Sequence, residues 1–240
     1  MRLDEYLVSI GKVDTRSKAQ DLIKRAKVRV GTRIITKPSA RINGKPRVQL
    51  LEKDIYVSRA GSKLASVNQN FKIDFKGKVV LDVGSSTGGF TDYALRSGAA
   101  RVVAVDVGTN QLHPSLRGSD KVALFEKTDI RDFSWPSDLS KPDIVVADLS
   151  FISLSKIMPA LEKHCSKDTL LAMMAKPQFE SEGYSLINGV VKNSRDRKAI
   201  LDRLETWFRS NGWVVITNQD SGVSGAKGNV ERFYLLRRAI

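Results

Sequence analysis

A glycine-rich segment, Asp82-Val83-Gly84-Ser85-Ser86-Thr87-Gly88-Gly89-Phe90, is the part of this chain best suited to holding a small ligand. Glycine lets the backbone turn tightly and approach a ligand closely. Asp106 follows Gly84 by 22 residues, a spacing at which a carboxylate accepts hydrogen bonds from ribose hydroxyls in nucleotide-binding folds. Asp129 and Ile130 lie shortly after a later apolar stretch, residues 122–125. The glycines alone fit an ordinary tight turn, but with three carboxylates at strand ends they favour an adenosine-type ligand.

Four further segments carry lysines, arginines and carboxylates that could transfer a proton or position a substrate. They are residues 57–64, 148–151, 176–180 and 228–233. Taken singly, each polar residue in them fits a surface position or a helix cap as well as a catalytic position. Lys63, for example, fits a solvated lysine near a helix start. Their meaning depends on whether the fold brings them together.

From residue 79 onward, apolar strand-like runs alternate with helical segments. The pattern predicts helices over residues 90–97, 155–165 and 195–210, and strands over residues 79–83, 101–106, 122–125, 143–148, 169–174, 213–217 and 231–236. Continuously apolar strands that alternate with helices predict an α/β fold with a mostly parallel, doubly wound sheet. Ligands of such sheets bind beyond the carboxyl ends of the strands, where the polar segments of this chain fall.

The first quarter of the chain predicts a small α+β module. Apolar residues repeat at helical spacing over residues 3–9 and 17–26, with Ser17 as the expected N-cap and Gln20 completing a capping box. Residues 28–30 and 47–50 alternate as strands do, and Asn43-Gly44 predicts a turn between them. We therefore expect two domains, residues 1–58 and residues 59–240.

Positive charge is concentrated in this module. The chain has a net charge of +14, and the first 58 residues, with 14 basic and 6 acidic side chains, hold +8 of it. A basic solvated surface is one interpretation of that excess. Clustered lysine and arginine also favour a polyanion partner, because they displace counterions from phosphates. An anionic membrane surface fits less well, since no strongly apolar helix face accompanies the charge.

The composition argues against several classes of protein. Hydrophobic residues make up 41% of the chain, enough for a core, yet the apolar runs are too short to span a bilayer. The charged start, Met1-Arg2-Leu3-Asp4-Glu5, predicts no signal peptide. The single cysteine, Cys165, excludes an internal disulfide and a multi-cysteine metal site. We therefore expect a cytoplasmic protein without stable membrane insertion or a required metal.

The first 55 residues resemble a known RNA-binding domain. Arg2-Leu3-Asp4-Glu5-Tyr6-Leu7, residues 15–23 and Val28-Arg29-Val30-Gly31 are similar to the domain first named for small-subunit ribosomal protein four. That resemblance implies docking on structured RNA and names no reaction. The RNA contacts that we predict are the matching basic residues Arg2, Arg16 and Lys18, joined by Arg59 at the start of the second domain.

The glycine-rich segment resembles the S-adenosylmethionine motif of class I methyltransferases. Asp-x-Gly followed by Gly-Gly-Phe carries the resemblance, and the segment departs from the Gly-x-Gly-x-x-Gly pattern of nicotinamide oxidoreductases. In that family the acidic residue after the second strand binds ribose, and the one after the third lies beside adenine. The resemblance implies S-adenosylmethionine as cofactor, bound by Asp82, Gly84, Ser86, Gly88, Gly89, Phe90, Asp106, Val107, Asp129 and Ile130.

Together, the polar segments match the Lys-Asp-Lys-Glu set of the ribose 2′-O-methyltransferases related to FtsJ. The set falls on Lys63, Asp148, Lys176 and Glu231. Nearly the whole chain resembles one branch of that group, the TlyA or hemolysin A family, through its Val-Ser-Arg-x-Gly-x-Lys-Leu, Lys-Pro-Gln-Phe-Glu and Gly-Asn-x-Glu segments. The resemblance implies methylation of cytidine ribose in ribosomal RNA, on one or both ribosomal subunits.

The same resemblance implies roles for the four residues. A sulfonium methyl group is already activated, so the enzyme must align it with a ribose 2′-oxygen and help remove the hydroxyl proton. An isolated lysine has a pKa of about 10.4, and desolvation or a nearby cation is needed to make it a base. We predict Lys176 as the base and Lys63 as the cation that favours its neutral form. We expect Asp148 to position Lys63 and the ribose, and Glu231 to hold the lysines.

Three other functions stay open at this point. A non-catalytic RNA-binding or ribosome-assembly factor that binds S-adenosylmethionine would need the first domain but not the full set of four residues. A nicotinamide oxidoreductase would need the dinucleotide glycine pattern. A membrane-lytic protein would need an amphipathic or spanning segment that the sequence does not offer.

Overall fold

The chain begins with two short helices that pack against a small antiparallel sheet. Helices α1 (Leu3–Ser9) and α2 (Arg16–Lys24) are followed by strands β1 (Val28–Val30), β2 (Arg33–Ile34) and β3 (Val48–Leu50). β1 lies in the middle and pairs antiparallel with both others. These elements belong to the first compact unit, Met1–Ile55, of a computed structural model that describes residues 1–51, 56–225 and 228–239. The predicted α+β module is therefore confirmed.

The start of α2 differs from the sequence prediction. Thr15 is the N-cap, because its backbone is extended and its hydroxyl accepts a hydrogen bond of 3.2 Å from a main-chain N–H of the first turn. Ser17 lies inside the helix, and the Gln20 side chain donates to a carboxylate of α1 instead of closing a capping box. The helix also ends two residues early, because Ala26 has a left-handed backbone with a φ of 60°.

The second compact unit, Tyr56–Ile240, alternates helices with strands. Its elements in chain order are α3 (Arg59–Phe71), β4 (Val79–Val83), α4 (Gly89–Arg96), β5 (Arg101–Val105), α5 (Pro114–Arg117), β6 (Val122–Phe125), β7 (Ile144–Ala147), α6 (Leu154–His164), β8 (Leu170–Ala175), a 3₁₀-helix (Pro177–Phe179), α7 (Ser194–Ser210), β9 (Trp213–Asp220) and β10 (Arg232–Arg238). The helices and strands predicted for this unit are present, with ends shifted by up to three residues.

One seven-stranded sheet organises this unit. Its strand order is β6-β5-β4-β7-β8-β10-β9, with the first five strands parallel and β10 antiparallel to both neighbours. The predicted mostly parallel, doubly wound sheet is confirmed. The chain runs outward from β4 to β5 and β6, then returns to β7 on the other side of β4. That reversal places the loops after β4 and β7 side by side, where such sheets bind ligands.

Apolar helix faces cover both sides of the sheet. α3 and α4 contribute Leu64, Val67 and Phe90 to one core, and α6 and α7 contribute Leu161 and Phe208 to the other. Each such side chain stabilises the fold by roughly 1.5–3 kcal/mol. The helices are therefore one-sided, and in the part of the chain that the structure describes none combines the length and apolarity that a bilayer crossing requires.

Candidate active site

Asp82 lies near the carboxyl end of β4 and is almost fully buried, with 1% of its surface exposed. Its Oδ2 accepts a hydrogen bond of 2.6 Å from the Thr91 hydroxyl of α4. Its Oδ1 is buried and has no hydrogen-bond partner among the described residues. Burial, opposed by the Thr91 bond and reinforced by the negative charge of Asp148, raises the pKa of Asp82 to about 7. The end of β4 therefore offers a buried acidic group with bonding capacity left for a ligand.

Gly84 sits where the loops after β4 and β7 come into contact. Its φ of 77° lies in the left-handed region, and a Cβ there would be 2.7 Å from the main-chain oxygen of Asp148. Glycine meets both conditions without strain. The sequence predicts that Gly84 lets a ligand approach the main chain. In the structure, Gly84 also lets the segment that carries Asp148 pack against the glycine-rich turn.

The remaining glycines of this segment start α4. Gly88 is the N-cap with a left-handed φ of 89°, and Gly89 is the first helical residue. A Cβ on Gly89 would clash with Ser58 and with the first turn of α3, so the two helix starts approach closely. The Phe90 ring is buried in the core. Any contact of Phe90 with a cofactor would therefore have to use its main chain.

Asp106 follows β5 and bonds to the glycine-rich turn. Its two carboxylate oxygens accept hydrogen bonds of 2.7 Å from the main-chain N–H groups of Ser86 and Gly108. Ser86 has a left-handed φ of 46°, so the carboxylate holds a turn residue in a conformation that costs free energy. Val107, beside it, is exposed. Asp106 therefore shapes the predicted cofactor site, and each of its oxygens keeps a lone pair for a ligand.

The third predicted carboxylate, Asp129, lies beyond β6. Its Oδ2 is 2.6 Å from Nη2 of Arg131. Hydrogen bonds from the Arg131 guanidinium hold the pKa of Asp129 below its ordinary value. Ile130 between them is buried. Asp129, which the sequence predicts to lie beside adenine, therefore forms an ion pair with Arg131.

The first of two lysine–carboxylate pairs joins α3 to the segment before β10. Lys63 lies on the second turn of α3, and its Nζ is 2.9 Å from Oε1 of Glu231. Lys63 and Glu231 are 7% and 3% exposed. Oε2 of Glu231 is also buried and lacks a hydrogen-bond partner within residues 1–51, 56–225 and 228–239. The pair is therefore largely buried, and one oxygen of its carboxylate is not used by a described residue.

The second pair lies at the carboxyl ends of β7 and β8. Nζ of Lys176 is 2.6 Å from Oδ1 of Asp148, and it donates a hydrogen bond of 2.8 Å to the Ser150 hydroxyl. The same Nζ lies 5.9 Å from the centre of the Phe179 ring. The Lys176 and Asp148 side chains are 13% and 19% exposed, although Oδ1 of Asp148 is itself buried and accepts no hydrogen bond from a described residue.

This pairing corrects one expectation from the sequence. The sequence interpretation makes Asp148 the partner of Lys63 and Glu231 the holder of both lysines, but Asp148 pairs with Lys176 and Glu231 pairs with Lys63. The reason is topological. β7 and β8 are adjacent parallel strands, so residues just beyond their carboxyl ends are neighbours, whereas Lys63 belongs to a helix. The structure places the four residues in two pairs.

An exposed aromatic ring stands beside the second pair. Phe151 is 90% exposed, has a left-handed φ of 67°, and its ring centre lies 5.1 Å from that of Phe179. The two rings border a cavity of about 890 Å³ that also reaches Arg131, Lys156 and Arg203. Packing does not explain an exposed ring on a strained backbone. Aromatic rings beside cations are surfaces on which nucleic-acid bases stack.

The predicted RNA-binding arginines of the first unit share one buried carboxylate. Asp4 is 0% exposed, and Nε of Arg2 and Nε of Arg16 lie 3.0 Å and 3.1 Å from its oxygens. The Arg2 hydrogen bonds, with those of Gln20 and Arg16, hold the pKa of Asp4 well below its usual range. The Arg2 and Arg16 side chains stay 40% and 50% exposed, so Asp4 orients them without covering them. Lys18 lies on the same helix as Arg16, and its Nζ is 3.9 Å from Oδ2 of Asp14.

Ser150 and Asp4 are among the residues that the sequence interpretation did not name as site residues. Ser150 lies two residues after Asp148, and that spacing in an extended loop, which puts both side chains on one side, is the signal that could have found it. Asp4 offers no such signal, because an aspartate in the first turn of a helix ordinarily faces solvent. Arg59, a predicted RNA contact, is the first residue of α3 and is partly exposed.

Comparisons with known proteins agree with this architecture. Residues 56–238 match the model of the FtsJ-like methyltransferase family, and residues 1–47 match that of the S4 domain. The chain is 37% identical over 233 residues to Hemolysin A of Brachyspira hyodysenteriae, which covers 96% of this chain and 97% of that protein. It is 36% identical over 239 residues to the 16S/23S rRNA (cytidine-2′-O)-methyltransferase TlyA of Mycobacterium tuberculosis, covering 98% and 89% of the two chains.

A solved structure leads to the same family. A hemolysin-type protein of Streptococcus thermophilus is 33% identical to this chain and superposes on it with a TM-score of 0.78. The match covers 100% of this chain and 88% of the other, so it includes both units. Because family models and relatives agree over nearly the whole length, this chain belongs to the TlyA/hemolysin A family, with an FtsJ-like methyltransferase domain that follows an S4 domain.

Proposed function

We propose that this protein transfers a methyl group from S-adenosylmethionine to the 2′-oxygen of a cytidine in ribosomal RNA. The observation that carries the proposal is the position of Lys176 at the carboxyl edge of the sheet, held there by Asp148 and Ser150. Asp148 in turn packs against the glycine-rich turn through Gly84. The TlyA relative of Mycobacterium tuberculosis is named for the same reaction.

The glycine-rich turn fits S-adenosylmethionine. Two buried polar atoms there, Oδ1 of Asp82 and Oγ of Ser85, have no hydrogen-bond partner among the described residues, and a polar ligand would satisfy them. Asp82, Ser86 and Asp106 would hold the cofactor, with the main chain at Gly84 beside it. When bound, S-adenosylmethionine supplies a methyl group that its sulfonium charge has already activated. The protein then has to supply alignment and a destination for one proton.

Lys176 has the geometry to handle that proton. Its Nζ donates a hydrogen bond to Ser150 and lies 2.6 Å from Oδ1 of Asp148 in an ion-pair contact. In the ammonium form, a third N–H would orient the ribose 2′-oxygen. In the neutral form, the lone pair in that same direction would accept the hydroxyl proton, a contribution of about 10²–10⁴-fold in rate. Asp148 and Ser150 thus aim the lysine in either state without blocking the substrate.

The buried pair takes a different part in this proposal. Lys63 donates one N–H to Glu231. We assign its further N–H groups to the substrate ribose. Glu231 fixes the side chain of Lys63, because a buried lysine with a carboxylate partner has little freedom to rotate. Alignment of reacting groups can lower a reaction barrier by on the order of several kcal/mol.

Phe151 and the first unit supply RNA contacts in the proposal. The ring of Phe151 is 90% exposed and is available to stack on an unpaired base. Arg2 and Arg16, oriented by Asp4 and about half exposed, are set to pair with phosphates. Because bacterial ribosomal subunits are built in the cytoplasm, this substrate also implies a cytoplasmic location.

Methyl transfer to purified ribosomal subunits tests the proposal. The full chain is incubated with small or large subunits and S-adenosylmethionine that carries a radioactive methyl group, and the RNA is then hydrolysed with alkali. A methylated 2′-oxygen cannot attack the neighbouring phosphate. The label should therefore survive in an alkali-resistant dinucleotide whose first nucleoside is 2′-O-methylcytidine. The Lys176→Ala chain is the matched control and should label the RNA far more slowly.

A non-catalytic RNA-binding factor is the competing function. It predicts that the full chain binds S-adenosylmethionine in calorimetry and ribosomal RNA in filter binding, yet transfers no label. Label on a base would overturn the assignment of the 2′-oxygen. Label on the ribose of another nucleoside would overturn the assignment of cytidine.

A further inference from the structure

Glu180, the last residue of the Lys-Pro-Gln-Phe-Glu segment, is a buried carboxylate that the proposed reaction does not use. It is 6% exposed and lies four residues after Lys176. Its Oε1 accepts a hydrogen bond of 2.8 Å from the Leu154 N–H, and its Oε2 accepts one of 2.5 Å from the Ser153 hydroxyl. Both donors lie at the start of α6, at the end of the loop that follows β7.

These bonds close a ring between the ends of two neighbouring strands. The loop after β7 carries Ser150, whose hydroxyl accepts the hydrogen bond of 2.8 Å from Lys176. The segment after β8 carries Glu180, whose carboxylate holds the far end of the same loop at Ser153 and Leu154. The loop is therefore tied to the β8 segment at two places, and one of them is the lysine that we assign to proton transfer.

The main chain at Glu180 is held independently of its carboxylate. Arg203 of α7 donates hydrogen bonds of 2.6 Å and 2.9 Å to the main-chain oxygens of Glu180 and Glu182. A variant that lacks the carboxylate therefore keeps these anchors of the backbone. Burial, opposed by the bonds from Ser153 and Leu154, raises the pKa of the Glu180 carboxyl. An ionisable group at this position costs free energy that an apolar side chain would not.

We propose that Glu180 is a positioning residue for Lys176: by anchoring the loop at the start of α6, it keeps the Ser150 hydroxyl against Nζ of Lys176. The direction left open at Nζ for the ribose 2′-oxygen then depends on this anchor. The consequence for the rate rests on the proposed function. Because a misplacement of about 1 Å can slow a reaction by about 10²-fold, loss of the anchor should lower methyl transfer strongly.

A purely structural role is the alternative. In that case the carboxylate only satisfies N–H and hydroxyl groups at the start of α6, as an N-terminal cap does. Loss of Glu180 would then lower the free energy of unfolding, while the folded protein would transfer methyl groups at the wild-type rate. Kinetics and chemical modification distinguish the two roles.

Single-turnover methyl transfer at saturating RNA and cofactor is the first test. Glu180→Ala and Glu180→Gln are compared with Glu182→Gln, which changes an exposed carboxylate two residues away. We expect Glu180→Ala to slow transfer by about 10–10²-fold, with the Kd for S-adenosylmethionine and the KM for RNA within about twofold of wild type. Glu180→Gln keeps an acceptor for Leu154 and should recover most of the rate, and Glu182→Gln should match wild type. A wild-type rate in folded Glu180→Ala would overturn the proposal.

A double-mutant cycle tests whether Glu180 acts through Ser150. If both belong to one arrangement, Glu180→Ala combined with Ser150→Ala should be little slower than the slower single variant. Rate losses that multiply would mean independent actions and would overturn the proposal. Ser153→Ala removes one of the two donors to the carboxylate, and it takes the place of Glu180→Ala in the cycle if that variant does not fold.

Modification of Lys176 tests the anchor without any need for methyl transfer. Reductive methylation of the full chain, read by peptide mass spectrometry, reports how freely Nζ of Lys176 reacts, with exposed Lys163 as internal reference. Glu180→Ala should speed modification of Lys176 several-fold relative to Lys163, and an unchanged ratio would overturn the anchor. If the wild-type chain transfers no methyl groups but the ratio rises in the variant, the anchor holds and only the proposed function fails.

Discussion

The two lysine–carboxylate pairs of the second unit are built from the same groups but meet water differently. Lys63 and Glu231 have side chains that are 9% and 4% exposed, and they come from α3 and the segment before β10. Lys176 and Asp148 have side chains that are 13% and 19% exposed, and they follow neighbouring parallel strands. The first pair is the more buried of the two, whereas the second shares its lysine with the hydroxyl of Ser150.

That difference separates what each pair does for the fold from what it does for the reaction. Burying two charges costs several kcal/mol per ion, and removing one partner of a buried pair leaves the other charge uncompensated. A more exposed pair costs less to break, because the charge that remains loses less hydration in the folded protein. We therefore expect the buried pair, Lys63–Glu231, to dominate stability and the open pair, Lys176–Asp148, to dominate turnover.

The largest expected effect is on turnover, from Lys176→Ala. Loss of the group that handles the 2′-hydroxyl proton should slow methyl transfer by about 10²–10⁴-fold. The free energy of unfolding should fall less than in a variant of the Lys63–Glu231 pair, because the Lys176 and Asp148 side chains are more exposed. Single-turnover assays and urea unfolding measure the two quantities, and Lys163→Ala, in the last turn of α6, is the control. A near-normal rate at saturating RNA and cofactor would contradict the catalytic role.

The next largest effect is on stability, from Lys63→Ala. The variant leaves the Glu231 carboxylate buried without its partner, so the free energy of unfolding should fall by about 3–5 kcal/mol. Urea unfolding, with Lys176→Ala beside it, measures the contrast between the two pairs. Equal losses in both variants would remove the distinction that burial predicts.

A double variant separates the two contributions of the buried pair. Lys63→Met with Glu231→Leu replaces both charges by apolar side chains of similar size, which is often neutral or stabilising for a buried pair. The free energy of unfolding should therefore return toward the wild-type value. Methyl transfer should nevertheless fall below the wild-type rate, because the methionine has no N–H for the ribose. Recovery of both quantities would assign this pair to the fold alone.

The sequence predicts the elements of this fold better than the contacts between them. Apolar alternation and helical spacing depend on near neighbours, so the doubly wound sheet could be predicted from them. The partner of Asp148 depends on which strands lie side by side. β8 lies between β7 and β10, and β10 is the last strand of the chain, an order that local patterns do not contain.

Burial sets the same limit for single residues. Asp4 and Glu180 are charged residues in short polar segments, and such residues are ordinarily exposed, so their burial could not be predicted from the sequence. The N-cap of α2 shows a smaller version of the problem. Thr15 and Ser17 both suit an N-cap, and the backbone conformation of the loop before the helix decides between them.

A smaller effect, which depends on pH, is expected at Asp82. This carboxyl is buried, and it accepts a hydrogen bond from the Thr91 hydroxyl. Its pKa of about 7 in the folded protein lies above the value of about 3.9 for an unfolded aspartate. Between these values the folded state holds a proton that the unfolded state has lost. The free energy of unfolding should therefore fall as the pH rises from about 4 to about 7, by an amount on the order of 4 kcal/mol at most.

Asp82→Asn tests that expectation. Asparagine keeps an acceptor for the Thr91 hydroxyl but cannot ionise, so the variant should become more stable relative to wild type as the pH is raised from about 5.5 to about 8. Urea unfolding at both pH values gives the difference. Asp168→Asn, which changes an exposed carboxylate just before β8, should show no such trend. The same stability difference at both pH values would contradict a raised pKa for Asp82.

The smallest effect separates cofactor binding from both ion pairs. Asp106→Ala should weaken S-adenosylmethionine binding by about 1–3 kcal/mol, as expected for a charge-assisted hydrogen bond. Asp106→Asn keeps one acceptor oxygen and can bond only one of the Ser86 and Gly108 N–H groups, so it should lose less. Calorimetry without RNA measures both affinities. Unchanged affinity in Asp106→Ala would move the cofactor site away from the end of β5.

Combining Asp106→Ala with Lys176→Ala sharpens the comparison further. If the open pair acts only on the proton, the double variant should bind the cofactor as weakly as Asp106→Ala alone, because the two losses fall on different steps. The rate at saturating cofactor should match that of Lys176→Ala alone. A further loss of affinity in the double variant would mean that the open pair also holds the cofactor, and the division between a pair for the fold and a pair for the proton would then be wrong.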